Sequence, residues 1–213
     1  EDQRYGLLEA GTPVAGLGPP DLSGHRLRGP AMTVSWLQDR FQAFRDLQGM
    51  DTAEDYNLGW SGSGALGLSS RAWGATATGA FARLSLAKGW RPSPGSLVLA
   101  DASLSGRELS GRAANVLGTF NLSAYGWVWR NQVVAGNLLL DAAIRPDPEK
   151  LLSLGGLEGL RGYPNHMDLG DRRWMASVEH RILTDWRWMG TLRAGFVVYA
   201  DAARLTQVVG NLL

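Results

Sequence analysis

Residues 57–69 alternate without interruption. Leu58, Trp60, Gly62, Gly64, Leu66 and Leu68 fall on one side, and Asn57, Gly59, Ser61, Ser63, Ala65, Gly67 and Ser69 on the other. A period of two predicts a strand with one apolar face and one small, polar face. The pattern returns in 114–126, where Val116, Gly118, Phe120, Leu122 and Ala124 oppose Asn115, Thr119, Asn121, Ser123 and Tyr125. In 174–183, Trp174, Ala176, Val178 and Ile182 oppose Ser177, Glu179 and Arg181. In 191–201, Leu192, Ala194, Phe196, Val198 and Ala200 oppose Thr191, Arg193, Gly195, Val197, Tyr199 and Asp201. A chain that repeats this pattern reads as all-β and antiparallel.

The remaining segments fit the same plan. Residues 1–30 read as irregular or poorly defined, with a short strand conceivable over 4–9. Residues 31–47 contain no Gly or Pro and read as one long strand, although Phe41, Phe44 and Leu47 also lie at helical spacing. Further strands are expected over 73–88, 97–104 and 132–144, and the start of another over 207–213. Turns or loops are expected over 49–55, 89–95, 105–112, 127–131 and 184–188, and a long loop over 145–170. The total is nine or ten strands. Most exceed the ~5–6 residues usual in soluble proteins and approach the roughly 9–11 that span a bilayer.

Composition narrows the classes. The chain has 28 Gly and 9 Trp but no run of eighteen apolar residues, so no transmembrane helix is written in it. These features suit a barrel with lipid-facing and lumen-facing residues in alternation. They would equally suit a soluble β-sandwich or a passive porin. If turns alternate between two sides, Trp90, Trp127, Trp129, Trp186 and Trp188 share one side, as in an interfacial aromatic girdle. A net charge of +1 gives no reason to expect nucleic acid. Without cysteine there is no disulfide or thiolate site, and His25, His166 and His180 are too scattered to suggest a metal. No cofactor is implied. No Gly-x-Ser-x-Gly elbow occurs, since Gly62-Ser63-Gly64 lies within an alternating strand, and no enzyme is expected.

One loop stands apart. Leu154-Gly155-Gly156-Leu157-Glu158-Gly159-Leu160-Arg161-Gly162-Tyr163-Pro164 concentrates glycine around a single Arg. Such a backbone folds back tightly and presents a planar, permanently charged fork of donors. Glu179, Arg181 and Asp201 sit on expected inward faces, where a charge needs a partner or water. Arg161 either pairs with these acids inside a lumen or is a solvated loop residue beside ordinary lumen acids.

With Gly170-Asp171-Arg172-Arg173, Ser177-Val178-Glu179-His180-Arg181 and Phe196-Val197-Val198-Tyr199-Ala200-Asp201, this loop resembles the bacterial surface-antigen barrels. That superfamily includes the BamA and TamA assembly factors, two-partner secretion transporters and patatin-fused barrels. The resemblance covers about 155–201. It implies a fragment of a sixteen-stranded transmembrane β-barrel in the bacterial outer membrane, with 145–170 as an extracellular loop entering the lumen. It also implies that Arg161, Gly162 and Tyr163 form the loop motif, and that Glu179 and Asp201 are the acids that receive Arg161. The implied function is assembly, insertion or translocation of unfolded outer-membrane or secreted client proteins, with periplasmic POTRA domains and accessory factors as partners beside outer-membrane lipid. A two-partner secretion transporter and the barrel of a patatin-like phospholipase are the alternatives. POTRA domains, the first strands and the last strands, between which the family's lateral gate lies, are not legible, so the chain reads as a fragment.

Overall fold

The computed structural model describes residues 26–47, 52–129, 131–146, 151–165, 168–189 and 192–206. In chain order the strands are β1 (Ala31–Leu37), β2 (Phe41–Arg45), β3 (Ala53–Asn57), β4 (Trp60–Ser69), β5 (Gly79–Trp90), β6 (Ser96–Leu109), β7 (Arg112–Trp129), β8 (Gln132–Ile144), β9 (Leu152–Leu154), β10 (Asp168–Gly170), β11 (Arg172–Trp188) and β12 (Leu192–Thr206). Eight of them form one antiparallel sheet in the order β1-β4-β5-β6-β7-β8-β11-β12. The other four make two small hairpins, β2–β3 and β9–β10. Among the described residues there is no α-helix. β1 and β12 stand at the two edges, so the sheet is not closed on itself there.

The register separates the faces, because residues directly opposite one another share a side. One row runs Ser63, Ser85, Ser103, Thr119, Asp141, Arg173. The neighbouring row runs Trp36, Gly62, Leu86, Ala102, Phe120, Leu140, Trp174. The sheet is thus polar on one side and apolar on the other. The apolar side is bare: Leu66 is 60%, Leu104 50% and Val198 67% exposed. The polar side is the one covered by other parts of the chain.

Two segments do the covering. The β2–β3 hairpin continues β1 and β4 through Gln38 N–H to Trp60 C=O (2.7 Å) and Leu58 N–H to Arg40 C=O (2.9 Å). It then lays Phe44, Leu47 and Tyr56 against Leu97 and Val133 of the wall. At the other end of the sheet, the segment joining β8 to β11 packs Leu154 and Leu160 on Met175, flanked by Leu139, Ala203 and Leu205. Between them the wall carries a polar ladder. Asn121 Nδ2 donates to Asp101 (3.0 Å), and Asn137 Nδ2 to Asn121 Oδ1 (2.8 Å) and Ser123 Oγ (3.0 Å).

Several boundaries differ from expectation. The run 31–47 is neither a helix nor one strand; it breaks at Gln38–Arg40, where the chain turns onto the polar face. Ala53, Glu54 and Asp55 belong to β3, not to a turn. Leu58 leaves the apolar series, because the chain bends at Leu58-Gly59 and this side chain joins the hairpin cluster. Residues 73–78 precede β5 and are not strand, and Gly89 and Trp90 extend β5 into the expected turn. The loop expected over 105–112 shrinks to Ser110-Gly111, both at positive φ (53° and 83°), a backbone suited to a tight hairpin. Residues 127–129 and 184–188 are strand, carried on by cross-strand pairing. Among the described residues eight strands join the sheet and four are short hairpin strands, against the nine or ten expected for the whole chain. The readings for 4–9, 207–213, His25 and His166 lie outside the described residues.

Trp36, Trp60, Trp90, Trp127, Trp129, Trp186 and Trp188 lie toward the end of the sheet that carries the β5–β6, β7–β8 and β11–β12 turns. Trp127 differs from the others in role, since its ring stacks on Phe44 of the hairpin (6.0 Å between centroids, 11° between planes). Lys88, between Trp60 and Trp90 on the apolar side, lies within 6 Å of both ring centroids and donates to Leu58 C=O (2.6 Å). A cation there is held by backbone and ring faces.

Candidate functional site: an arginine clamp on the polar wall

The loop from 155 to 164 closes on itself before it touches the wall. Gly156 N–H donates to Pro164 C=O (3.2 Å) and Leu160 N–H to Gly155 C=O (3.0 Å). Gly159 and Gly162 take φ of 108° and 86°, the left-handed side that an L side chain resists. These turns leave Leu160 buried and put Arg161 beside β11 and β12.

Arg161 is bound at four points. Its backbone N–H donates to Asp201 Oδ2 (3.1 Å), its Nε to the same oxygen (2.8 Å), and its Nη2 to Asp201 Oδ1 (2.6 Å). Its Nη1 donates to Glu179 Oε1. The guanidinium carbon lies 3.7 Å from the centroid of the Tyr199 ring. The register explains why these groups converge. Glu179 sits directly opposite Tyr199, and Ser177 opposite Asp201, so the two acids are diagonal neighbours on one face. Two carboxylates at that spacing repel; a planar fork between them turns the repulsion into paired, directional hydrogen bonds. The Asp201 side chain is 5% exposed and that of Glu179 17%. The hydrogen bonds to Asp201, and then the one to Glu179, raise the already high pKa of the loop guanidinium, which stays charged.

A second pair fastens the base of the loop. Arg173 on β11 donates through Nε (2.9 Å) and Nη2 (2.5 Å) to Asp141 Oδ2 on β8, and through Nη1 (2.6 Å) to Ser153 C=O in β9. Glu179 has a second cation too: Arg181 Nε donates to its Oε2 (2.7 Å), and Arg181 Nη2 lies 2.5 Å from the same oxygen as an ion pair. Arg181 Nη1 reaches Leu47 C=O in the hairpin segment.

Comparison of the chain with family models, with curated proteins and with solved structures finds no match.

The structure therefore brings Arg161, Glu179 and Asp201 together and seats Gly162 at a turn that needs its conformation. It leaves Tyr163 outside the cluster: that residue is 53% exposed, and its backbone N–H donates to Leu160 C=O (3.4 Å). The aromatic partner of the guanidinium is Tyr199. The sequence places Tyr199 on the inward face as no more than packing, carries Arg173 only within the resemblance, and gives no role to Asp141. The signal for Asp141 and Arg173 was parity: opposite charges directly opposite each other on neighbouring strands. His180 hydrogen-bonds Gln132 (2.9 Å), and no metal-holding group of three or more ligands occurs among the described residues.

Proposed function

We propose that this chain forms part of the wall of a bacterial outer-membrane β-barrel that assembles, inserts or translocates other proteins, in the manner of BamA and TamA. The observation that carries the reading is the inversion of the sheet. A soluble protein buries its apolar face and shows its polar face to water. Here the apolar face is bare across eight strands and the polar face is covered by a loop and a hairpin. Bare apolar area of this extent marks a surface that meets lipid or another apolar partner. Strand length supports lipid, since β5, β6, β7, β8, β11 and β12 have 12–18 residues, enough for a tilted crossing of about 9–11. The apolar face then meets lipid, the polar face lines a lumen, and the clamped loop braces the lumen wall. The clients are unfolded outer-membrane or secreted chains, and no bond chemistry is involved.

Two measurements test this. The full-length protein, refolded with phospholipid vesicles, is expected to float with them and to migrate faster on gels before boiling than after. Recovery only in the aqueous fraction, with one boiling-independent band, would remove the membrane reading. Depletion in the native bacterium is expected to lower the outer-membrane levels of client proteins; unchanged levels would remove the assembly reading.

A further inference from the structure

The two covers of the polar wall come from opposite ends of the sheet and face each other across a cleft. The loop between β8 and β11 arrives from one end and the β2–β3 hairpin from the other. A cleft of about 440 Å³ lies between them, bordered by Asp46, Leu47, Arg161, Glu179, Arg181 and Tyr199. Arg181 bridges it. Two of its nitrogens hold Glu179 Oε2, and the third donates to Leu47 C=O. The other oxygen of the same carboxylate, Oε1, receives Arg161. One glutamate thus serves both a cation fixed by the hairpin and the cation that docks the loop.

We infer that Arg181 is a positioning residue that couples the two covers, so that seating of the hairpin aims Glu179 at Arg161 and release of the hairpin loosens the loop. The reasoning is geometric. Leu47 is fully buried in the hairpin cluster, so its carbonyl is a fixed anchor. Anchored there, Arg181 holds the Glu179 carboxylate in one orientation. Without the anchor the guanidinium is free to swing, the carboxylate rotates with it, and Arg161 keeps Asp201 but loses Glu179. Linkage makes the effect mutual: whatever loop docking gains from the hairpin, hairpin docking gains from the loop.

The chain contains no cysteine, so a single reporter reads the loop cleanly. Ala203 lies on the wall, partly buried against the loop cluster, and an Ala203→Cys variant of the full chain in detergent is labelled faster by a thiol reagent as the loop lifts. Phe44→Ala leaves a hole in the hairpin cluster and replaces neither Arg181 nor its partners Glu179 and Leu47. It is expected to speed labelling on the order of fivefold or more. In an Arg181→Met background, labelling starts faster and Phe44→Ala adds nothing. No acceleration in the native background, or equal acceleration in both, overturns the inference. If Phe44→Ala does not fold, Phe44→Leu makes the same comparison. The inference rests on the docked loop and not on the membrane reading; it is measured in micelles, so either can fail while the other stands.

Discussion

Replacing Arg161 with alanine removes three side-chain hydrogen bonds and a ring contact but leaves the loop backbone intact. The two acids are not equally stranded. Glu179 retains Arg181, whereas Asp201, at 5% side-chain exposure, keeps only the backbone N–H of residue 161. Breaking a buried ion pair by deleting one partner costs about 3–5 kcal/mol. The Arg161 side chain is 33% exposed, so the low end applies: ~3 kcal/mol, or on the order of a hundredfold in the docking equilibrium at about 1.4 kcal/mol per tenfold. The burial of Leu154 and Leu160 still holds the loop down, each worth roughly 1.5–3 kcal/mol, so it loosens without leaving. Amide hydrogen exchange over 155–164 is the direct assay. Exchange there should quicken by up to about two orders of magnitude while the amides of β7 and β8 keep their protection. Adding Asp201→Asn removes the stranded charge and should recover part of the loss. Unchanged exchange in Arg161→Ala, or strictly additive effects of the two substitutions, would refute the clamp.

Gly162→Ala is expected to cost ~1–2 kcal/mol, because φ is 86° with open space around the new Cβ, and Gly162→Asn less; urea midpoints of the three proteins check the order. Arg173→Met strands Asp141, whose side chain is 4% exposed, and should lower stability by about 3 kcal/mol, while Arg173→Met with Asp141→Leu should restore most of it. Leu84→Arg on the apolar face should lower stability in phospholipid vesicles by ~2–4 kcal/mol, and Ser103→Arg on the polar face much less; equal penalties would count against lipid contact.

The faces of the sheet were legible because period two depends only on residue order. The strand 132–144 was read with its observed limits, and the inward parity of Glu179 and Asp201 was enough to pair them with a glycine-borne Arg. What escaped was set by neighbours. Residues 105–109 look like loop by composition, yet β5 and β7 lie on either side and continue the ladder. The same holds for 184–188, paired in part with β12 beyond a bulge after Leu183. Residues 31–47 read as one long strand, with a helix also open at Phe41, Phe44 and Leu47, because spacing is ambiguous over so short a run. Only the wall cluster of Leu97 and Val133 decides where Phe44 and Leu47 go. Tyr199 was invisible as a partner because stacking under a guanidinium depends on a loop brought from nearly forty residues away.

The seat of Arg161 has a practical consequence for solution work on this protein. Asp201, Glu179 and the face of Tyr199 together make a socket shaped for one chemical group, and guanidinium chloride supplies that group at molar concentration. In that denaturant the socket stays filled after the loop departs, so detachment is helped by competition as well as by general solvation. Urea, which is uncharged, offers no such substitute. Titrations in the two reagents should diverge first at the loop.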